Sequence, residues 1–230
     1  MIEIDKAALV EKLRNTGGHI GYSKSRRHPS TKPFLYTTKN SKDIINLEET
    51  AKQTQTAINF LAGILADKKQ ILFVGVKPEA RMQTKNIGIA LGMPHSAERF
   101  IGGTLTNFPE MKKRIDKLVE TVAKREKGEL SMYTKKEQSL ISKDILRMTK
   151  NFGGLVGIHG TPAAIVVVDP RFEEIAVTEA NYTRVPIVAL ANSDCNIKNI
   201  KYPIVVNEAS AGSIAIILET ITKSLENVNQ

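Results

Sequence analysis

The chain has 230 residues, a formal net charge of +9 and an ordinary globular composition, 41% hydrophobic and 25% charged. This length supports one hydrophobic core with room for an appended substructure. The single cysteine, Cys195, excludes an intramolecular disulfide, and no apolar stretch approaches the roughly 20 residues of a membrane span, so we expect a cytoplasmic protein with no membrane partner.

The first predicted element is an amphipathic helix at 3–14, which ends before the glycine pair at 17–18. Its early acids and helical period differ from a signal peptide, which would begin with basic residues and an apolar run. A basic loop is predicted over 18–33, because Pro29 and Pro33 disfavour regular structure there.

Positive charge is concentrated around this loop. Residues 12–42 contain eight basic side chains and no acidic one. Residues 151–230 hold five basic and eight acidic side chains, so residues 1–150 carry a net charge of +12. Neutralising phosphates releases counterions, so this asymmetry favours a polyanion partner over a surface that is merely basic. The candidate RNA-binding residues of this segment are Lys24, Arg26, Arg27, His28 and Lys32.

Strands and helices alternate through the rest of the chain. The elements predicted before residue 100 are short strands at 34–38 and 43–47, a helix at 48–66, a strand at 71–76 and a helix at 79–91. Those predicted after residue 153 are strands at 163–170, 186–192 and 202–206 and helices at 172–184 and 210–226. Fully apolar strands that alternate with helices predict an α/β fold, a three-layer parallel-sheet domain of the flavodoxin-like, doubly wound type.

Residues 106–152 have a different pattern. Apolar residues recur at intervals of three and four from Phe108 to Val122 and again from Ile141 to Phe152, as in the seams of a coiled coil. A capping box at 134–137 begins the second segment. We predict an inserted antiparallel helical hairpin with its own core, which protrudes from an α/β domain made of 1–105 and 153–230. The alternative is two helices packed flat on the sheet, which usually need a wider apolar face.

The stretch RFIGGTLTNF at 99–108 joins these two parts. Gly102 and Gly103 permit backbone angles that other residues adopt at a cost, and Thr106 or Asn107 is expected to cap the outgoing helix. The basic residues at this corner, also candidates for RNA binding, are Arg99, Lys112, Lys113 and Arg114.

Catalytic motifs are missing from the sequence. The loop after ILFVGV lacks a glycine-rich phosphate cradle, the four histidines are scattered, and no nucleophile elbow occurs. Asp169, at the end of a predicted strand, is best placed for catalysis but more often such a residue caps the following helix. We expect no catalytic residue, no metal, no cofactor and no small-molecule substrate. A nucleotide- or sugar-phosphate-dependent α/β enzyme is the alternative.

Several motifs, in order, resemble the bacterial small-subunit ribosomal protein S2 family. The family pattern G-x-H-[FI]-G is met at Gly17, His19 and Gly21, and R-W-[IL]-G-G-x-L-T-N-[FW] is met by 99–108 except at its Trp. The remaining matches are ILFVGVK, the NFGG at 151–154, VVDP at 167–170, the spaced Ala176, Glu179 and Ala180, and VPIVAL at 185–190.

The resemblance implies a structural constituent of the small ribosomal subunit, and not an enzyme. It implies binding to small-subunit rRNA and to neighbouring ribosomal proteins at the junction of head and body, with a docking role towards ribosomal protein S1. It also marks a set of structural junction residues, which are Gly17, His19, Gly21, Gly102, Gly103 and Asn107.

Overall fold

The computed structural model describes residues 3–226, except for the side chain at 131, so the outermost ends of the predicted domain lie outside it. The helices are α1 (Lys6–Asn15), α2 (Leu47–Ala66), α3 (Pro78–Leu91), α4 (Phe108–Glu126), α5 (Lys135–Phe152), α6 (Glu174–Tyr182) and α7 (Ala211–Glu226). The strands are β1 (Ile20–Ser23), β2 (Leu35–Lys39), β3 (Lys42–Ile45), β4 (Ile71–Val74), β5 (His95–Ser96), β6 (Ala164–Val168), β7 (Ile187–Ala191) and β8 (Tyr202–Val205).

Strands β4 to β8 form the main sheet, in the order β5-β4-β6-β7-β8, and every neighbouring pair is parallel. Counted within this sheet, the order is 2-1-3-4-5, which is that of flavodoxin-like doubly wound folds. The predicted parallel sheet is therefore confirmed. The two-residue edge strand β5 was not predicted, because the pair His95–Ser96 has no apolar run to reveal it.

Alternate residues of each central strand face opposite layers of helices. Phe73, Val166 and Leu190 pack with α1, α2, α3 and α7, whereas Leu72, Val167 and Ala189 pack with α4, α5 and α6. Side chains that alternate in this way are buried on both faces of the sheet. This explains why β4, β6 and β7 are apolar at every position.

Residues 18–33, called the basic segment below, are more regular than expected. Strand β1 pairs with β3 in a small antiparallel sheet of order β1-β3-β2, and short 3₁₀ helices follow at Lys24–Arg26 and Pro29–Phe34. The prediction of an irregular loop over 18–33 is wrong, because Pro29 lies in the first turn of its helix, where a missing N–H costs nothing.

Helices α4 and α5 follow each other along the chain and contact one another. The predicted capping box at Thr134 and Glu137 is present, and Pro109 lies in the first turn of α4. Met111 and Ile115 of the α4 seam are buried in the same cluster as Leu72 and Val167, on the face of the sheet that α4, α5 and α6 cover. The expectation of a separate core is wrong at this end, because the joint places α4 directly against the α/β core.

Candidate nucleic-acid interface

The basic segment is fastened to the loop that follows β7. The backbone N–H of His28 donates to the Ser193 carbonyl at 2.8 Å, and the Thr31 hydroxyl donates to the same carbonyl at 2.8 Å. The N–H of Ile197 donates to Ser30 Oγ at 3.2 Å. These bonds fix the basic segment at the edge of the main sheet where its strands end.

Arg27 is committed to the fold. Its Nε donates to Asp43 Oδ2 at 2.8 Å, and its Nη2 donates to Asp43 Oδ1. The Asp43 side chain has no exposed surface, and Arg27 has 18% of its own exposed. The guanidinium of Arg27, together with the Thr38 hydroxyl, holds the pKa of the Asp43 carboxyl below its usual value despite burial. Among the predicted RNA-binding residues that form ion pairs, Arg27 is the least exposed.

Arg26 and two lysines remain at the surface. The Arg26 guanidinium lies 4.3 Å above the Tyr22 ring and donates to Asp194 Oδ2 at 3.1 Å, with half of the side chain exposed. Lys24 and Lys32 are exposed and form no ion pair with the residues that the structure describes. The structure thus leaves these three cations exposed on one short segment that is anchored to the main domain.

His28 has a local structural role in this segment. It occupies the N-cap position of the second 3₁₀ helix, where its Nδ1 accepts from the Ser30 N–H at 3.2 Å and contacts the Ser30 hydroxyl at 2.7 Å. The ring is half-buried, and these contacts fix its orientation.

The second predicted basic group lies on the joint and the first turns of α4. Arg99 is exposed. Lys112 pairs with Asp116 at 2.8 Å, and Lys113 pairs with Glu110 at 2.6 Å. Arg114 is exposed and forms no ion pair with the described residues. Exposed ion pairs are weak, so the two paired lysines can still contact a polyanion.

The joint is held by a buried carboxylate from α6. Glu179 accepts backbone hydrogen bonds from Gly103 at 2.5 Å, from Leu105 at 3.0 Å and from Thr106 at 3.3 Å. Gly103 has φ +93, a conformation that favours glycine, whereas the φ of Gly102 is not positive. The expected cap is different, because Asn107 occupies the N-cap position of α4 without a side-chain hydrogen bond. The role of Glu179 was not predicted; the sequence signal for it was an acidic residue on the inner face of a predicted helix.

The remaining junction residues lie around the end of α1 and β1. Gly17 has φ +75, and the carbonyl of His19 accepts from the N–H of Ile45 at 2.8 Å. A Cβ on Gly21 would lie 3.0 Å from Ser193 Oγ and 3.1 Å from Asp43 Cβ. Gly21 therefore allows β1 to pack closely against both the small sheet and the loop after β7.

A buried polar cluster lies at the carboxyl ends of the main strands. Lys77 Nζ donates to Asp169 Oδ2 at 3.1 Å and to Glu208 Oε1 at 3.2 Å. The Tyr22 hydroxyl donates to the same Glu208 oxygen at 3.4 Å. In doubly wound folds the crevice where the strand order reverses, here between β4 and β6, is the usual ligand site. Lys77 follows β4 and Asp169 follows β6, so their ion pair lies at this position, which the sequence did not reveal.

The charges of this cluster are strongly coupled. Burial opposes the charge of Lys77, but Glu208 and Asp169 outweigh it and raise its pKa. Burial raises the pKa of Glu173 to about 7, assisted by repulsion from Asp169 and opposed by the Val76 N–H that Glu173 accepts at 2.8 Å. The cluster binds the strand ends to one another through internal ion pairs.

Asp169 also organises the turn that precedes α6. Its Oδ1 accepts from the N–H groups of Arg171 at 3.1 Å and Phe172 at 3.2 Å, and its own φ is +62. The expected capping role is therefore found in this turn, whereas the N-cap position of α6 belongs to Glu173.

Two further properties concern the whole described region. Residues 3–226 contain no group of three or more His, Cys, Asp or Glu side chains that could hold a metal ion. No helix of this part of the chain has both the length and the apolar content needed to cross a membrane.

Comparison with known proteins gives a consistent picture. Residues 13–227 match the family model described as Ribosomal protein S2. The chain is similar to the Small ribosomal subunit protein uS2 of Chloroflexus aggregans, with 33% identity over 219 residues, 95% of this chain and 92% of the relative. The proteins of the same name from Petrotoga mobilis and Protochlamydia amoebophila are each 34% identical over 216 residues, 94% of this chain and 75% or 79% of the relative.

Proposed function

The chain belongs to the ribosomal protein S2 family, and we propose that it binds small-subunit rRNA as a structural component of the small ribosomal subunit. Members of this family are ribonucleoprotein components that act in translation on the cytoplasmic ribosome, and they are not enzymes. This sets aside the nucleotide- or sugar-phosphate-dependent enzyme that the sequence left as an alternative.

One observation carries the proposal for rRNA. The eight basic side chains of residues 12–42 have no acid among them in sequence, and Lys24, Arg26 and Lys32 are exposed on a segment that is anchored to the sheet. Lysine and arginine at fixed positions bind phosphates and set the orientation of a protein on RNA. We assign Arg27 to the support of this surface, since its charge is already paired with Asp43.

We further propose that residues 106–152 form a protruding antiparallel hairpin, a coiled coil that projects from the domain made of 1–105 and 153–230. The supporting observation is the change in burial along the two helices. Met111 and Phe152, at the end next to the sheet, are buried, whereas Tyr133 and Leu140, towards the connection between the helices, are exposed. Exposed apolar side chains on charged helices suit contact with neighbouring proteins. We place this region at the junction of the subunit head and body, with S1 among its protein partners, as the family resemblance implies.

Sedimentation of lysate through sucrose gradients at low and high salt tests the proposal. We expect the chain to migrate with the small subunit and to dissociate as salt rises, because phosphate contacts weaken with salt. A chain that stays at the top of the gradient at both salts would remove the ribosomal assignment.

A charge-reversal pair tests the basic segment itself. Lys24→Glu with Lys32→Glu should weaken binding of the purified protein to small-subunit rRNA and reduce the slope of log affinity against log salt by about 1 to 2. The matched control is Lys198→Glu with Lys223→Glu, which changes the same charge on exposed lysines of the other half. Equal effects of the two pairs would contradict a specific role for the basic segment.

A further inference from the structure

An open pocket of about 420 Å³ lies where the joint meets α4 and α5. Its apolar lining comes from Ile101 of the joint and from Met148 and Phe152 of α5. All three pack in the hydrophobic cluster on the face of the sheet that α4, α5 and α6 cover. The volume is in the range of clefts that bind small organic groups. Because these side chains belong to the core, the floor of the pocket is held in place by the fold.

The rim of the pocket is basic. Arg114 and Lys117 lie one turn apart on α4, and Arg147 faces them from α5. Arg147 pairs with Asp144 at 3.0 Å in an exposed pair, whereas Arg114 and Lys117 form no ion pair with the described residues. No acidic side chain lines the pocket. A bound group must therefore supply the negative charge.

Asn151 is the remaining polar residue of the lining. Its amide can both donate and accept, which matches the mixed donors and acceptors on the edge of a nucleobase. Of the triplet at 112–114, only Arg114 lines the pocket; Lys112 and Lys113 pair with acids of their own helix. The geometry thus selects one member of the triplet for this site.

We propose that the pocket binds an unpaired nucleotide of small-subunit rRNA. The base lies on the apolar floor beside Asn151, and the flanking phosphates contact Arg114 and Lys117. Bases that leave a helix stack on apolar, aromatic and guanidinium surfaces, while cations at the rim bind the backbone. An apolar protein segment would fill the floor but would leave the rim charges unmatched, so charge complementarity favours RNA. The inference rests on the proposed function and assigns it a second, separate contact.

Binding of the full-length protein to small-subunit rRNA tests the pocket. Arg114→Glu with Lys117→Glu should weaken binding at least tenfold, since it removes two phosphate contacts and disfavours the adjacent base. The control is Lys124→Glu with Arg125→Glu, an equal charge change on one lysine and one arginine at exposed positions of α4 outside the pocket, for which we expect less than about a third of that loss. Thermal unfolding confirms that both variants fold.

Ultraviolet crosslinking of the same complex locates the nucleotide. We expect mass spectrometry to find a nucleotide attached within residues 148–152, and this adduct to disappear in the Arg114, Lys117 variant. If that variant binds rRNA like its control and no adduct forms, the pocket inference is overturned. The proposed function of rRNA binding would still stand if the Lys24, Lys32 variant weakens binding. If the pocket variant keeps its rRNA affinity but no longer joins the subunit, the occupant is a protein and the inference is equally overturned.

Discussion

The guanidinium of Arg27 and the carboxylate of Asp43 are joined by two parallel hydrogen bonds, and the Asp43 side chain is fully buried. The bond crosses from the basic segment to β3 and ties that segment to the small sheet. The preceding residue, Arg26, instead lies over Tyr22 with half of its side chain exposed. Two adjacent arginines therefore have different tasks, one in stability and one at the surface.

Arg27→Ala is expected to lower the free energy of unfolding by about 3 kcal/mol, because it leaves the Asp43 carboxylate buried without its cation. Urea denaturation at pH 7 measures this change. Arg26→Ala is the matched control and should cost less than about 1 kcal/mol, since half of the Arg26 side chain is exposed and Asp194 keeps its ion pair with Arg171. Equal losses in the two variants would contradict the division of roles.

The same pair predicts a dependence on pH. Ion pairing lowers the pKa of Asp43 in the folded state, so its contribution is present above the unfolded value of about 3.9 and is lost as the pH falls below it. The difference in stability between the wild type and Arg27→Ala should therefore shrink below about pH 4. A difference that stays constant to pH 3 would argue against the ion pair as its source.

Gly154→Ala is expected to destabilise the protein through His95. A Cβ at this position would overlap the His95 backbone oxygen and lie 2.7 Å from the Cδ2 atom of its ring. Overpacking of this kind costs about 1–3 kcal/mol, which for a protein of this size lowers the melting temperature by roughly 2–12 °C.

Gly153→Ala provides the control for this substitution, because its Cβ would make an ordinary contact of 3.4 Å with Thr149. Calorimetry of the two variants separates close approach from the general effect of replacing a glycine. A melting temperature for Gly154→Ala equal to that of Gly153→Ala would mean that β5 and the turn after α5 are not in contact as described.

Glu173→Gln should change how stability depends on pH. The folded pKa of Glu173 is about 7, above the value of an unfolded glutamate. Between these two values the unfolded chain loses its proton first, so stability falls as the pH rises from about 4.5 to 7 and levels off above that.

The glutamine stays neutral and keeps the oxygen that accepts from Val76. We expect Glu173→Gln to gain about 2.5 kcal/mol relative to wild type between pH 5 and pH 8 in urea denaturation. Glu174→Gln, at the exposed neighbouring position, should follow the wild-type curve. Parallel curves for wild type and Glu173→Gln would show that this carboxyl titrates normally.

Shortening the helix pair should reveal where its core ends. Replacing 123–138 with a short glycine linker removes mainly exposed residues, and we expect a melting temperature within a few degrees of the wild type. Replacing 109–150 instead removes the buried Met111, Ile115, Leu118 and Ile145 and should lower it strongly, because each buried side chain contributes about 2–5 kcal/mol. Thermal unfolding measures the melting temperature of both variants. If the variant lacking 109–150 melts at the wild-type temperature, the helix pair and the α/β domain have separate cores after all.

Local pattern predicted much of the fold. The apolar runs at 71–76, 163–170 and 186–192 identified the central strands, since a strand buried on both faces shows no alternation. The seams of α4 and α5 and the capping box at Thr134 were visible because helical contacts repeat within a few residues. The short 3₁₀ helices of the basic segment and β5 were missed, because such short elements depend on the surfaces that they pack against.

The candidate site was less predictable from the sequence. Lys24 and Lys32 are exposed as a basic segment would suggest, but nothing near Arg27 in sequence announces its bond to Asp43, 16 residues away. Lys77 appeared as a residue of an ordinary loop, although the fold places it between Asp169 and Glu208. The pocket beside Arg114 draws its lining from the joint, α4 and α5, which no local pattern connects.

The sequence by itself determined the α/β class, the two extra helices, the concentration of positive charge and, through motifs in order, the family. These features follow from composition and short periodicity, which act over a few residues along the chain. Only the tertiary structure decided which charges are matched and which remain available. Glu179 meets the N–H of Gly103 across 76 residues, and such a partner exists only once the folded backbone has brought the two together.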